Sequence, residues 1–231
     1  MSANKIQWAN RPKIWSVSRR TLMNRCPRAW VLRYGFSKRR SGFNKHLRNI
    51  SDWSAPWRLM QRALRGVIIE RFETLLKNSV WIEKDLASKI RHRIIGAMLR
   101  QNSVVDVIES RTGKRSNLRD IMQIDRLDRL VEIACHRYHS VMKCKPIVDI
   151  VQGKISEWNI FSRLEKTKMD NIDVHLSPDI VWKSGSTWHL LRFSVQGSVT
   201  MRDENRLEHM AMVVWGKMMN GLPENSERYI V

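Results

Sequence analysis

The hydrophobic period of this chain changes once along its length, and that change restricts the fold more than any other feature. Leu64, Val67, Ile68, Phe72, Leu75 and Leu76 recur at three- and four-residue steps, which predicts a helix from Trp57 to Lys77. Leu86, Ile90, Ile94 and Met98 repeat at i+4 and predict a second helix. Residues 102–118, which include Thr112, Gly113, Lys114, Arg115 and Ser116, read as a turn region. Ile121, Ile124, Leu127, Leu130, Val131, Ala134 and Tyr138 predict a third helix that ends before Pro146. Beyond it the period shortens. Ile155–Phe161, Val174–Trp182 and Trp188–Val195 are short runs rich in β-branched and aromatic residues, separated by polar turns such as 183–186, and they predict a strand meander. A last helix is expected over Glu204–Met219, stopped by Gly221 and Pro223 before a strand at Arg228–Val231. Helices, then strands, then helix and strand imply an α/β (α+β) class with a helical N-terminal half.

Upstream of this, Ser18 opens a short helix to Tyr34 that carries arginines on its outer side, and residues 35–56 are turn-rich. The expected division is a basic helix-and-loop region over 1–56, part of the same domain, and a core over 57–231. Hydrophobic residues at 42% are enough for a buried core at this length.

Charge narrows the partner. The chain carries +20, and residues 1–62 hold fifteen Lys/Arg against one acid, Asp52, a balance of +14. Such an excess points to a polyanion. A membrane is the weaker choice, because no apolar run approaches the roughly 20 residues needed to span and the basic residues are not gathered on one amphipathic helix. Nucleic acid leads, with DNA ahead of RNA. Arg19, Arg20, Arg25, Arg28, Arg33, Lys38, Arg39 and Arg40 are the candidate backbone contacts. Trp53 and Trp57 are the candidate stacking residues, the other tryptophans reading as core. Three cysteines, Cys26, Cys135 and Cys144, form no even framework, which suggests free thiols and a cytoplasmic location, nucleoid-associated if DNA is bound. Cys135 and His139 share a helix face, with His136 and Cys144 nearby, but lack a second ligand pair at zinc spacing and read as packing.

Ser16, Ser18, Cys26, Pro27, Trp30, Arg33 and Tyr34 together resemble the opening segment of RecB-like members of the PD-(D/E)XK nuclease superfamily, including the CRISPR-associated RecB-like exonucleases. The later order agrees: a helix with a Gly-x-x-x-[HE] step, a strand ending in Asp, a hairpin into a second strand, then a helix. This resemblance implies a small mixed central sheet of about four strands flanked by helices. It also implies a divalent-metal site. Glu70, four residues after Gly66, stands where active members carry a metal-binding His, and Asp179 stands at the strand Asp. In the hairpin signature [DE]-x-K, however, the acid position is Arg192 and the lysine position is Ser194, while Trp215 keeps only the aromatic of a Q-x-x-x-Y step.

The catalytic outline is therefore degenerate at its centre. Carboxylates in such a site hold the ion that activates water; Arg192 places a fixed cation there, which repels a metal and attracts phosphate. The expected function is DNA binding without cleavage, as an accessory subunit beside a helicase, a nuclease or another subunit of a DNA-processing or antiviral defence complex. No cofactor is expected. Mg or Mn enters only under the alternative of an active nuclease with migrated ligands drawn from Glu70, Glu73, Asp179, Glu157 and Asp173. An iron–sulfur cluster is not expected, since four thiolates are lacking. A further alternative is an RNA-binding scaffold subunit of a ribonucleoprotein or phage-related assembly.

Overall fold

The structure is a computed structural model and describes residues 14–15, 17–34, 54–115, 125–161, 166–169, 172–175, 177–185, 187–193, 195, 210, 212–216 and 226–230. Among them the class is mixed α and β. Helices α1 (Val17–Arg25) and α2 (Pro27–Tyr34) are followed by α3 (Pro56–Leu76), a 3-10 turn, α4 (Leu86–Thr112), α5 (Asp125–Met142) and α6 (Lys145–Val151). The strands are β1 (Ile14–Trp15), β2 (Trp158–Ile160), β3 (Lys166–Met169), β4 (Ile172–His175), β5 (Ile180–Ser184), β6 (Thr187–Arg192) and β7 (Ser226–Ile230).

Local chemistry explains most boundaries. The single helix expected from Ser18 to Tyr34 is two, because Pro27 disfavours helical geometry at Cys26 and itself starts α2 at its first position. Pro56 opens α3 in the same way. That helix ends with Asn78 at a φ of 51°, and the Ser79 N–H donates back to the Thr74 carbonyl at 3.0 Å, a Schellman closure. The turn expected from residue 102 begins only at Gly113, whose φ of 63° stops α4. Burial carries the helix that far: Gln101 and Val105 face the core at 7% and 1% exposure, and tertiary packing overrides weak propensity.

Four strands form one mixed sheet in the order β2-β5-β6-β7, antiparallel except for the parallel β6–β7 pair. The β5–β6 hairpin closes with Ser184 opposite Thr187. Gly185, at a φ of 61°, meets the positive-φ demand of tight hairpin turns. A second, smaller sheet has the order β1-β4-β3. The strand expected over Val174–Trp182 is thus two strands in two sheets. Pro178 lies between them and has no N–H to offer a ladder.

One face of the four-stranded sheet joins α3, α4 and α5 in the main core. Ile180 and Trp182 of β5, with Leu191 and Phe193, cluster with Leu64, Ile68 and Phe72 of α3 and with Ile90 and Ile94 of α4. Each such fully buried side chain contributes about 1.5–3 kcal/mol. Phe72 is the joint between the layers, edge-on to Trp158 at 5.7 Å and stacked on Phe193 at 6.0 Å. Val181 and Leu190 point to the opposite face by the two-residue alternation of strands and are also buried. Residues 212–216 are helical, and Trp215 meets the ring of Phe161 edge-on at 5.3 Å.

Candidate functional site

Asp179 sits immediately before β5 and not at the end of a strand as expected, yet its main chain is already held in the sheet: its N–H donates to the Leu191 carbonyl at 2.7 Å, and its carbonyl accepts the Phe161 N–H at 2.9 Å. Its side chain is fully buried. One carboxylate oxygen accepts the Phe193 N–H at 2.7 Å, and the other is ion-paired with the guanidinium of Arg65 from α3. A lone buried carboxylate is unfavourable by several kcal/mol, and a cation at hydrogen-bonding distance offsets that.

The register that places Ile180 opposite Leu191 brings residue 179 beside residue 192, the relation the resemblance implies for the strand Asp and the hairpin acid. Arg192 is half-buried. Its Nη1 donates to the Ser177 carbonyl at 2.9 Å, and the guanidinium that meets the Asp179 carboxylate is that of Arg65. Ser194 lies outside the described residues. Trp215 is buried against Phe161.

Glu70 projects from the middle of α3 and is claimed from α4. Lys89 Nζ reaches its Oε1, and Arg93 Nη2 reaches Oε2 at 2.7 Å. Gly66 makes room for this. A Cβ at Gly66 would come within 2.5 Å of Arg93 Nη1, so the guanidinium lies across the helix where a side chain would otherwise stand. Burial raises the Glu70 carboxyl, and hydrogen bonds and charge from Lys89 and Arg93 outweigh it, leaving the group below its ordinary value. A depressed carboxyl adds stability above its unfolded pKa, about 4.3, and that contribution is lost as pH falls through the lower folded value. Glu70→Gln is therefore expected to destabilise the protein at neutral pH and to match it once both are acidified below that value, measured by urea unfolding across pH.

Beside these groups opens a pocket of about 360 Å³ lined by Arg62, Arg65, Gly66, Ile69, Glu70, Glu73 and Arg93. Arg62, Arg65, Ile69 and Glu73 follow one another at three- and four-residue steps along one face of α3. Three guanidinium groups thus surround two carboxylates, one of which, Glu70, is already paired twice. A divalent ion bound to Asp179 and Glu70 would have to displace cationic side chains from both. Among the described residues no three His, Cys, Asp or Glu side chains gather as a ligand set. Glu157 is exposed at the start of β2, and Asp173 belongs to the other sheet, opposite Lys168. This donor set does not fit Mg or Mn.

The remaining expected residues divide. Arg20, Arg25 and Arg28 are exposed on α1 and α2. Arg19 lies over the Tyr34 ring at 4.3 Å and is half-buried, and burial lowers its pKa. Arg33 is 5.8 Å from the same ring. Lys38, Arg39, Arg40 and Trp53 lie outside the described residues. Cys135 and Cys144 are half-buried, with thiols pushed up by burial, which disfavours the thiolate that binds metal.

Arg65, Lys89 and Arg93 were not among the residues expected from sequence. The only local signal was the helical spacing of Arg62 and Arg65 relative to Ile69 and Glu73. No helix of the described residues is long and apolar enough to cross a membrane. No protein-family model, curated protein or solved structure matches this chain.

Proposed function

We propose that this protein binds DNA through a degenerate PD-(D/E)XK-like centre and does not cleave it, acting in the cytoplasm or on the nucleoid as an accessory subunit of a DNA-processing or antiviral defence complex. The observation that carries the reading is the ion pair of Arg65 with the buried carboxylate of Asp179. In a metal-dependent nuclease that oxygen faces a cation that activates water; here a guanidinium fixed to α3 takes the cation's role in charge and none of its chemistry. Support also comes from element order, since α3 with Gly66 and Glu70, the β5–β6 hairpin and helical residues 212–216 follow the order implied by the resemblance. The basic pocket and the exposed arginines of α1 and α2 supply the attraction for phosphate. Arg192 is the phosphate contact proposed for the hairpin.

The test has two parts. Titration with labelled single-stranded DNA, duplex DNA and RNA at low salt is expected to show binding, with DNA preferred; absence of binding to all three removes the proposal, and preference for RNA moves it to the ribonucleoprotein scaffold. Incubation with Mg²⁺ or Mn²⁺ is expected to leave each substrate intact. Metal-dependent cutting abolished by Asp179→Ala is the contrary result and would identify an active nuclease.

A further inference from the structure

Trp57 is the exposed member of the tryptophans whose burial is described, at 37%. The others are buried or half-buried, and most have an aromatic neighbour: Trp30 lies against Tyr34, Trp81 on Tyr138, Trp158 against Phe72, Trp182 on His189 and Trp215 against Phe161. Trp57 instead meets a cation. The guanidinium carbon of Arg137, from α5, stands 4.5 Å from its ring centroid, and Arg137 Nη1 is itself fixed by the Val195 carbonyl at 2.5 Å. Val195 directly follows the 192–194 hairpin signature, so the indole and its guanidinium sit at that end of the candidate site. The indole is also held rigidly, because it belongs to the first turn of a 21-residue helix opened by Pro56.

Its surroundings are cationic. The first turn of α3 has no acid, and no acid follows along the helix before Glu70. Arg58 and Arg62 are exposed on the same helix, one turn apart, and Arg62 leads into the pocket beside Asp179. The helix N-terminus adds partial positive charge. An indole 37% exposed, fixed in place and bordered by guanidinium groups, matches a ligand that has both a flat π-surface and a phosphate chain.

We infer that Trp57 and Arg137 form a stacking ledge for an unpaired nucleobase, with Arg58 and Arg62 holding the phosphates on either side of that nucleotide. The inference rests on the nucleic-acid reading above and adds to it a requirement for a base that is out of its duplex. In a paired base both faces are already covered by neighbours, so a duplex gains nothing from the ledge.

The full chain is titrated by fluorescence anisotropy with a labelled oligothymidylate, with the same strand made abasic throughout its centre, and with a matched duplex. Trp57→Ala is expected to weaken the oligothymidylate by about fivefold to a hundredfold, the range for loss of one base–aromatic stack. Its duplex affinity should stay within about twofold, and Trp57→Phe should recover most of the loss. The abasic strand should bind the unsubstituted protein about as weakly as the oligothymidylate binds Trp57→Ala. Retained duplex binding and an unchanged circular dichroism spectrum show that the variant is folded; if it is not, the abasic strand and Trp57→Phe decide. Equal losses on strand and duplex, or no loss, overturn the ledge while leaving DNA binding intact. Failure of the unsubstituted protein to bind any of the three overturns both readings. A phosphatidylserine vesicle is the remaining arm: binding to vesicles that depends on Trp57, with oligonucleotide binding indifferent to it, would assign the ledge to a membrane surface and overturn the inference.

Discussion

Arg65→Met should lower the unfolding free energy by about 3 kcal/mol, because it leaves the fully buried Asp179 carboxylate with one N–H donor and no counter-charge. Removing one partner of a buried pair typically costs 3–5 kcal/mol. The lower end applies here, since the Arg65 side chain is 29% exposed and water screens part of the pair. The double variant Arg65→Met, Asp179→Asn should recover to within about 1 kcal/mol of the starting protein, because an amide oxygen still accepts the Phe193 N–H and carries no charge to bury. Urea unfolding followed by tryptophan emission measures both. A loss below about 1 kcal/mol for the single variant would mean that Arg65 does not hold the charge of Asp179, and the account of the centre would fall with it.

Replacing Arg58 and Arg62 together with alanine is expected to weaken DNA binding about a hundredfold at 0.1 M salt. Each phosphate neutralised on duplex DNA contributes a slope of about −0.9 in log affinity against log salt, which at 0.1 M is close to a factor of ten per contact. The same variant should therefore flatten the salt slope by about two units, a signature that a folding defect does not produce. Lys143→Ala, an exposed cation just past the C-terminus of α5, is the control and should leave the slope within about half a unit. A double variant with lower affinity but an unchanged slope would move these arginines out of the phosphate contacts.

The first of these predictions joins elements that are distant in the chain, and that distance marks how far the sequence could be read. Helix α3, helix α5 and the β5–β6 hairpin are legible because their signals are local: apolar residues at three- and four-residue steps for the helices, and β-branched runs around the Lys183–Ser186 turn for the hairpin. The register that sets residue 179 beside residue 192 is not legible in this way, because β5 runs on into the expected 183–186 turn, β6 begins one residue early, and the hairpin closes between Ser184 and Thr187. Pro178 stands inside the run Val174–Trp182, whose apolar residues on both sides of it predict one strand. Chain order alone does not say that residues before a proline have joined another sheet.

By itself the sequence determined the class of elements, the carboxylates at Glu70 and Asp179, the cation at Arg192 and the concentration of positive charge before residue 63. Only the tertiary structure decided which cation meets which carboxylate: Arg65 crosses 114 positions to reach Asp179, and Lys89 and Arg93 converge on Glu70 from the neighbouring helix. It also decided that β7 runs parallel to β6 and that Arg137 reaches the indole of Trp57. The reason is physical. Helix and strand periods are set by the backbone geometry of adjacent residues, whereas an ion pair is set by where two packed elements bring the ends of long, flexible side chains, and desolvation of the acid then selects among the cations within reach.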